Sequence, residues 1–452
     1  MFNIVIYKTL KYIFSYNIYL IKGIFMKAAV IGLGVEGKKA SNSFLERGWQ
    51  VYASDLNNNV DLSGLELPLA SMDLAQENET ISIITKSMVV DLGFTNSDEV
   101  KNADVIAISP SMWGSSFAEE IVKSGKLLCD VLLKHRDIFT IGITGTNGKT
   151  TTVHMLKSIL ENSGKKVLVG GNGGGGFSGY YDLILEADTG DYDIMLVEVC
   201  DMTLDFCRYC FDFDLIGLTN IGNDHMNVHK TVANYKNTLV RFFKDKEIVL
   251  AHNQDFKSDF KDVSKKSIPY FESQFDLKVF GKFNRFNAGL ATAIANVLKI
   301  PKDIIENSLS EFKAVEGRLD VYKLNDALIY IGKTDNSDAL SSILNEKNFY
   351  ATFIGTPRAN EKDRLSILDE VVKYNPKVIV LFPGLDDTLD MCLFRLNSLG
   401  YGGRIEIANS LDEIIALIAE FSHEEAILIG GNGQDAIIEI QERVKLLSQS
   451  CS

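Results

Sequence analysis

A glycine-rich loop with one lysine, TGTNGKTTT at residues 144–152, has the clearest chemistry in this chain. An apolar run at 139–143 precedes it and a helical pattern at 153–160 follows it. In that context, backbone N–H groups and the helix end can bind phosphate oxygens, while Lys149 reaches the terminal phosphates and the Thr150 hydroxyl binds Mg2+. A glycine turn with an incidental lysine would not need this order of strand, loop and helix. The residues predicted to bind ATP here are Gly145, Thr146, Asn147, Gly148, Lys149, Thr150 and Thr151.

Two polar positions at strand ends extend this prediction. Glu198 follows the apolar run 194–197, and His225 lies in the segment TNIGNDH at 219–225, which follows another apolar strand. Because the carboxyl ends of parallel strands meet at one edge of an open sheet, both side chains should reach the phosphate loop. An isolated histidine is usually structural, but this convergence favours a function. The predicted metal ligands are Thr150, Glu198 and His225, and the predicted catalytic residues are Lys149, Glu198 and His225.

A second glycine loop, GLGVEG at 32–37, follows the apolar run 28–31, and Asp55 lies about 20 residues further on. Alone, this pattern indicates a dinucleotide-binding dehydrogenase. A hydride-transfer enzyme has no use for an ATP loop, however, so binding of a phosphate, nucleotide-sugar or carboxylate is favoured. A third glycine run, GGNGGGG at 170–176, is either a flexible loop or a ligand contact. The predicted substrate-binding residues of these segments are Gly34, Val35, Glu36, Asp55 and Asn172.

Composition limits the partners. With 452 residues, 46% apolar and 23% charged, the chain is long enough for about three domains. A net charge of -14 argues against a nucleic-acid surface and gives no support for binding acidic membranes. Six cysteines in a chain of this length do not form a disulfide framework, which indicates reduced thiols in the cytoplasm. The cluster of Cys200, Cys207 and Cys210 lacks the second cysteine pair that would complete a metal site. We expect a monomer that acts on small molecules.

The first 25 residues are rich in Ile, Tyr and Phe but are interrupted by lysines. They have neither the small-residue cleavage site of a secretory signal nor an uninterrupted apolar stretch of about 18 residues. Met26 precedes the apolar run of the first strand. The leading explanation of residues 1–25 is therefore a non-native or disordered extension from a start codon assigned too early, and a membrane-surface anchor is the alternative.

Apolar strands alternate with helical patterns in three successive segments. The first contains the strands 28–31, 50–53 and 105–109, the second begins at 139, and the third follows residue 317. This rhythm predicts an α/β fold with parallel-rich sheets. The predicted domains are an N-terminal Rossmann-like substrate domain (26–135), a central P-loop ATPase domain (136–316) and a C-terminal Rossmann-like domain (317–452).

Taken together, five motifs resemble the Mur ligase family, which includes the muramyl-peptide ligases and folylpolyglutamate synthetase. The resemblance extends from about Lys27 to the end of the chain, with the motifs in the same order and spacing. It implies a three-domain ligase that uses MgATP to phosphorylate a substrate carboxylate, after which a nucleophile displaces phosphate. The motifs are the phosphate loop at 142–150, Glu198, TNIGNDH at 219–225, NRFNA at 284–288 and GRLD at 317–320.

The resemblance also implies roles for individual residues. Thr150 and Glu198 would hold one Mg2+, and His225 would hold a second near the acyl phosphate. Asn284 would contact adenine. Arg318, which would otherwise read as a surface charge, would contact the ATP phosphates at the start of the third domain.

The chain also departs from the family pattern. Leu239 stands where many members carry a carbamylated lysine, Phe283 replaces a histidine, and GKTDNSD at 332–338 replaces the usual third-domain motif. The segment SPSMW at 109–113 resembles the substrate loop of the glutamate-adding ligase, with a bulky aromatic at its end. That loop adds two predicted substrate-binding residues, Ser109 and Ser111.

These departures suggest that the acceptor is not the usual amino acid, because the third domain of the family presents the incoming nucleophile. We expect a large, planar substrate with several carboxylates, such as a nickel tetrapyrrole whose activated propionate is attacked by carbon of the same molecule. Two alternatives stay open. One is an amide-forming muramyl or pseudomurein peptide ligase. The other is a non-catalytic nucleotide-binding regulator, against which the intact Lys149, Thr150, Glu198 and His225 argue.

Overall fold

The computed structural model describes residues 26–67, 73–77, 80–222, 229–252, 260 and 263–450. The predictions for residues 1–25 and for His225 lie outside these ranges. The described chain contains three six-stranded sheets, with strands β1–β6, β7–β12 and β13–β18. The predicted α/β fold with parallel-rich sheets is confirmed. The limits of the three domains stay predictions.

The first sheet has the strand order β3–β4–β5–β2–β1–β6. Strands β5, β2, β1 and β6 are parallel, while β3–β4 and β4–β5 are antiparallel. The strand β1, which pairs with β2 and β6, is apolar and buried at 28–31, as expected for a strand covered on both faces. The strands of this first sheet are β1 (Lys27–Ile31), β2 (Gln50–Asp55), β3 (Asp73–Glu77), β4 (Thr80–Ile84), β5 (Met88–Leu92) and β6 (Val105–Ile108). The accompanying helices are α1 (Val35–Glu46), α2 (Ser97–Asn102), α3 (Ser116–Ser124) and α4 (Leu128–Val131).

The second sheet is parallel throughout and has the order β12–β11–β10–β7–β9–β8. The neighbouring strands β7 and β9 are parallel and end beside each other, so their carboxyl ends share one edge. The strands are β7 (Phe139–Thr144), β8 (Val167–Gly171), β9 (Ile194–Glu198), β10 (Phe213–Leu218), β11 (Glu247–Ala251) and β12 (Lys266–Tyr270). The helices are α5 (Lys149–Asn162), α6 (Tyr180–Thr189), α7 (Leu204–Cys210), α8 (Val232–Phe243), α9 (Lys282–Val297) and α10 (Lys302–Ser310).

The third sheet has the order β13–β14–β18–β15–β16–β17, and only β13–β14 is antiparallel. Its central strands are buried along their whole length, which matches their apolar sequences. The strands are β13 (Asp320–Leu324), β14 (Ala327–Ile331), β15 (Ala351–Gly355), β16 (Val378–Phe382), β17 (Arg404–Ile407) and β18 (Ala426–Gly431). The helices are α11 (Ser337–Leu344), α12 (Ser366–Tyr374), α13 (Leu389–Ser398), α14 (Leu411–Phe421) and α15 (Gln434–Ser450).

Two further sequence expectations concern cysteines and the membrane. The five described cysteines are free and buried, in agreement with reduced thiols: Cys129, Cys200, Cys207, Cys210 and Cys392. Within the described ranges, no helix combines the length and apolar character needed to cross a bilayer.

The first and second sheets share one hydrophobic core. Tyr181 of α6 is 1% exposed, and its hydroxyl donates to the Ile108 carbonyl and accepts from the Ile108 N–H, both at 2.8 Å. Nearby, the Trp113 ring packs against Phe206 and Tyr209 of α7, a helix that accompanies the second sheet. The ring centroids are 5.6 and 5.1 Å away. The bulky aromatic of the 109–113 segment therefore has a packing role between the two sheets.

We predict that Tyr181→Phe lowers the free energy of unfolding by about 1–3 kcal/mol, because two buried backbone groups lose a hydrogen-bond partner. Urea denaturation followed by tryptophan fluorescence would measure the change. The matched control is Tyr192→Phe, whose hydroxyl donates to the exposed Glu186 side chain, and a change within about 0.5 kcal/mol is expected. Equal effects of the two substitutions would contradict a structural role for the Tyr181 hydroxyl.

Candidate active site at the phosphate loop

The phosphate loop requires its two predicted glycines. Gly145 has φ +129° and Gly148 has φ +84°, both in the region that favours glycine. A Cβ at Gly145 would lie 2.2 Å from Thr219 Oγ1, and one at Gly148 would lie 2.2 Å from Asn287 Oδ1. The loop is thus pressed against neighbouring elements, and its main chain forms the wall of the site.

Lys149 begins the 14-residue helix α5, so its amine lies at the positive end of the helix dipole. The Nζ atom donates to the carbonyl oxygens of Gly145 at 2.6 Å and Thr146 at 2.8 Å. These bonds hold the ammonium over the loop where terminal phosphates would bind. Phosphate oxygens are stronger acceptors than these carbonyls, so the amine can exchange one set for the other.

The segment after β10 is hydrogen-bonded to the same loop. The Thr146 N–H donates to the Asn220 carbonyl, and the Asn147 N–H donates to Asn220 Oδ1, both at 3.0 Å. The Gly222 N–H donates to Thr146 Oγ1 at 2.9 Å. The ends of β7 and β10 are therefore held together by hydrogen bonds. The segment after β10 begins with the TNIG motif that sequence analysis associated with the site.

Glu198 is the buried carboxylate of this site. It is 1% exposed, and Oε1 accepts from Asn172 Nδ2 at 3.0 Å. The other oxygen, Oε2, has no hydrogen-bond partner among the residues that the structure describes. A buried carboxylate oxygen without a partner is costly unless a cation or a hydrogen-bond donor binds it. The arrangement fits a hard divalent cation such as Mg2+.

Thr150 supplies a second oxygen on the same side of the loop. Its hydroxyl accepts from Arg318 Nη2 at 2.7 Å, and the same Nη2 donates to the Gly175 carbonyl at 3.3 Å. A Cβ at Gly175 would lie 2.5 Å from Glu198 Oε1, so Gly175 connects the arginine to the carboxylate. In the described part of the chain, no group of three or more His, Cys, Asp or Glu side chains is arranged for a metal. Phosphate and water oxygens would complete the coordination, which is usual for Mg2+ at nucleotide sites.

Arg318 comes from the connection into the third sheet. Gln441 of α15 fixes that connection, because it accepts from the Gly317 N–H and donates to the Arg318 carbonyl, both at 2.8 Å. The guanidinium is part-buried against the phosphate loop, and its Nε has no partner within the described residues. This placement suits contact with phosphate and does not match a surface charge.

A cavity of about 430 Å³ lies between the phosphate loop, α9 and the third sheet. The predicted ATP residues Asn147, Gly148, Thr151, Asn284 and Arg318 all line it. The Asn284 side chain donates to the Phe280 carbonyl at 2.7 Å and accepts from Asn287 at 3.0 Å. Asn284 is therefore held rigidly at the cavity wall, beside Phe283.

The predicted substrate residues of the first sheet lie at the carboxyl ends of its strands. Asp55 accepts from the Leu33 N–H at 2.7 Å and so holds the glycine loop, where Gly34 and Val35 are exposed. The hydroxyls of Ser109 and Ser111 lie 2.8 Å apart. The two loops touch, since a Cβ at Gly32 would lie 2.6 Å from the Ser109 Cβ.

Glu36, also predicted to bind substrate, points toward the second sheet. Its carboxylate accepts from the N–H groups of Gly173 at 2.7 Å and Tyr180 at 3.0 Å. Burial raises the pKa of Glu36 to about 7, and the two hydrogen bonds oppose that shift. One oxygen therefore contacts the glycine-rich loop that carries Asn172, and the other contacts the first residue of α6.

Two features of the site were missed by sequence analysis. His229 and Asp201 form a buried pair with Nε2 and Oδ2 2.8 Å apart, and the imidazole stacks on Tyr235 with ring centroids 4.6 Å apart. The amides of Asn147 and Asn336 also exchange two hydrogen bonds, at 3.2 and 2.9 Å, between the phosphate loop and the segment after β14. Asp201 lies three residues beyond β9, and a search of strand ends for acidic residues would have found it.

Residues 143–268 match the model of the Mur ligase middle domain. The chain contains a Mur ligase middle domain. The matched range covers the phosphate loop, Glu198 and the segment after β10. The predicted resemblance is thereby confirmed for the central part of the chain.

Curated relatives are ligases. The UDP-N-acetylmuramoylalanine–D-glutamate ligase of Caldanaerobacter subterraneus subsp. tengcongensis is 28% identical over 327 residues, which cover 64% of this chain and 67% of that protein. The corresponding ligase of Thermoanaerobacter sp. strain X514 is 26% identical over 81% of this chain and 84% of its own length. Together with the middle-domain match, these relatives identify the chain as an enzyme of the ligase class.

Solved structures confirm the fold along nearly the whole chain. A pseudomurein peptide ligase type C from Methanothermus fervidus aligns with a TM-score of 0.55 at 20% identity, covering 93% of this chain and all of that one. The MurF ligase of Thermotoga maritima in complex with ADP aligns with a TM-score of 0.60 at 14% identity, covering 95% and 97% of the two chains.

We predict that Lys149→Ala lowers substrate-dependent ATP turnover at least about 100-fold, because a positive charge is lost where charge moves in phosphoryl transfer. Phosphate release would measure it, and the melting temperature should stay close to that of the unmodified protein. The matched control is Lys157→Ala on the same helix, whose amine lies 3.8 Å from Glu161 at the surface. Full turnover by Lys149→Ala would exclude the loop as the ATP site.

Proposed function

We propose that this chain is an ATP-dependent ligase that activates a substrate carboxylate as an acyl phosphate. The observation that carries the proposal is the unpartnered Oε2 of buried Glu198, joined through Gly175 to the Arg318–Thr150 contact. A nucleotide fits the adjacent cavity of about 430 Å³. The Mur ligase middle domain and the ADP complex of a structural neighbour support the same ligand.

In the proposed reaction, a substrate carboxylate oxygen attacks the terminal phosphorus of ATP and ADP leaves. A nucleophile then attacks the acyl carbon, loses its proton, and releases phosphate. Mg2+ would supply neutralisation of the phosphate charge, and Glu198 with Thr150 would hold it. Lys149 and Arg318 would stabilise the transferring phosphoryl group, and the cavity walls would exclude water, which would otherwise hydrolyse the acyl phosphate.

For the nucleophile, we propose the ring-closing reaction of coenzyme F-430 biosynthesis in methanogens, in which carbon attacks an activated propionate on a nickel seco-tetrapyrrole. The support comes from charges in the third unit. Lys333 and Arg364 both contact Asp335, at 3.1 and 2.8 Å, and Arg364 also contacts Glu361 at 3.3 Å. Burial acts to raise the pKa of Asp335, but these cations hold that pKa well below its usual range.

This pairing leaves the altered 332–338 segment poorly suited to a free amino acid. The α-carboxylate of an amino acid needs a cation, and Lys333 and Arg364 are already paired with carboxylates of the protein. A reaction within one substrate molecule has no such requirement. The segment's Asn336 is instead used to cap α11 and to bind Asn147 of the phosphate loop.

The second candidate is an amide-forming ligase that adds an amino acid to a nucleotide-linked precursor. The names of the relatives favour it, since they include D-glutamate ligases and a pseudomurein peptide ligase. A monomer in the cytoplasm stays the expectation for either activity.

The deciding experiment is phosphate release from MgATP by the purified protein. We expect release with a nickel seco-tetrapyrrole acid alone, giving a product that has lost one water by mass spectrometry, and no release by the Lys149→Ala control. Release only with both a muramyl-type precursor and an amino acid would establish the amide-forming alternative. ATP binding without turnover on any carboxylate would support a regulator.

A further inference from the structure

The glycine-rich loop at 170–179 is contacted by elements of all three sheets. From the first sheet, Glu36 accepts from the Gly173 N–H and Lys39 Nζ donates to the Phe177 carbonyl at 2.6 Å. From the third, Arg318 donates to the Gly175 carbonyl. Within the second, the Asn172 side chain donates to Glu198 Oε1 at 3.0 Å, and the Asn172 N–H donates to the Glu198 carbonyl at 2.9 Å.

The loop lies between two carboxylates and has no room for a side chain at the glycines that face them. A Cβ at Gly173 would lie 2.8 Å from Glu36 Oε1, and one at Gly179 would lie 2.6 Å from Glu36 Oε2. On the opposite side, a Cβ at Gly175 would lie 2.5 Å from Glu198 Oε1. The glycine composition, which the phosphate-binding chemistry does not explain, therefore allows Glu36 and Glu198 to approach the same short stretch of main chain.

Glu36 fixes this stretch at two points. Gly173 lies one residue after Asn172, and Tyr180 begins the ten-residue helix α6. By accepting from both N–H groups, one carboxylate sets the distance between the Asn172 turn and the start of α6. Glu36 itself lies in the first turn of α1, directly after the exposed glycine loop of the first sheet.

We propose that Glu36 is a positioning residue for the metal site. It holds the glycine-rich loop so that Asn172 orients Glu198, leaving Oε2 directed to the cation, and it thereby connects the substrate loop of the first sheet with the metal site of the second. This inference depends on the proposed role of Glu198 as a Mg2+ ligand. The simpler alternative is that Glu36 only caps α6 and strengthens the contact between the two units.

The test is direct metal binding by Glu36→Gln. The amide keeps the size of the side chain but offers one acceptor oxygen, and its NH2 group faces the other N–H. We expect the dissociation constant of Mn2+, measured by electron paramagnetic resonance in the presence of ADP, to rise about tenfold or more. The magnesium concentration for half-maximal turnover should rise in parallel. Asn172→Ala should reproduce both shifts and provides the readout if Glu36→Gln does not fold.

Ser43→Ala is the matched control, because Ser43 on the same helix donates to Asp182 of α6 at 2.6 Å without contacting the loop. Its Mn2+ affinity should equal that of the unmodified protein. Unchanged Mn2+ affinity in Glu36→Gln, with a lower melting temperature, would reduce Glu36 to a helix cap. If Glu198→Gln also binds Mn2+ with unchanged affinity, the metal assignment itself fails, and the proposed function is distinguished from this inference.

Discussion

The buried carboxylate of Glu198 is the constraint on which the rest of the site depends. Its strand β9 is buried at all five positions, so the charge is removed from water at the end of an apolar strand. Such a charge is costly unless donors or a cation compensate it. The Asn172 side chain donates a hydrogen bond to only one of the two carboxylate oxygens, Oε1. The protein thus maintains an incomplete hydrogen-bond shell beside its phosphate loop, a local cost of the kind that is characteristic of functional sites.

Much of the geometry at this edge of the second sheet could be predicted because its determinants are local. The phosphate loop combines strand, glycines, lysine and helix within a short stretch, and parallel sheets bring their strand ends to one edge. Edge strands were harder to predict. The strands β3 and β4 were not identified, since antiparallel strands at the margin of a sheet are half-buried and lack a continuous apolar run, as in the part-buried β4.

Contacts between distant segments could not be predicted. Glu36 was placed among the substrate residues from the glycine fingerprint. The N–H groups that donate to its carboxylate, however, lie 137 and 144 residues away in the sequence. No local pattern contains that information. The Asn147–Asn336 amide pair spans 189 residues in the same way. Arg318 was assigned through family resemblance, and its position beside Thr150 depends on how the third sheet packs.

The cavity beside the phosphate loop is consequently a property of the assembled chain. The second sheet contributes the phosphate loop to its wall, while Arg318 reaches it from the connection into the third sheet and Asp335 from the segment after β14. The glycine-rich loop receives Glu36 from the first sheet at the same time. Any movement of either outer unit must therefore change contacts within a few residues of Glu198. In the proposed reaction the acyl phosphate must be protected from water, and a site to which three units contribute would provide that protection.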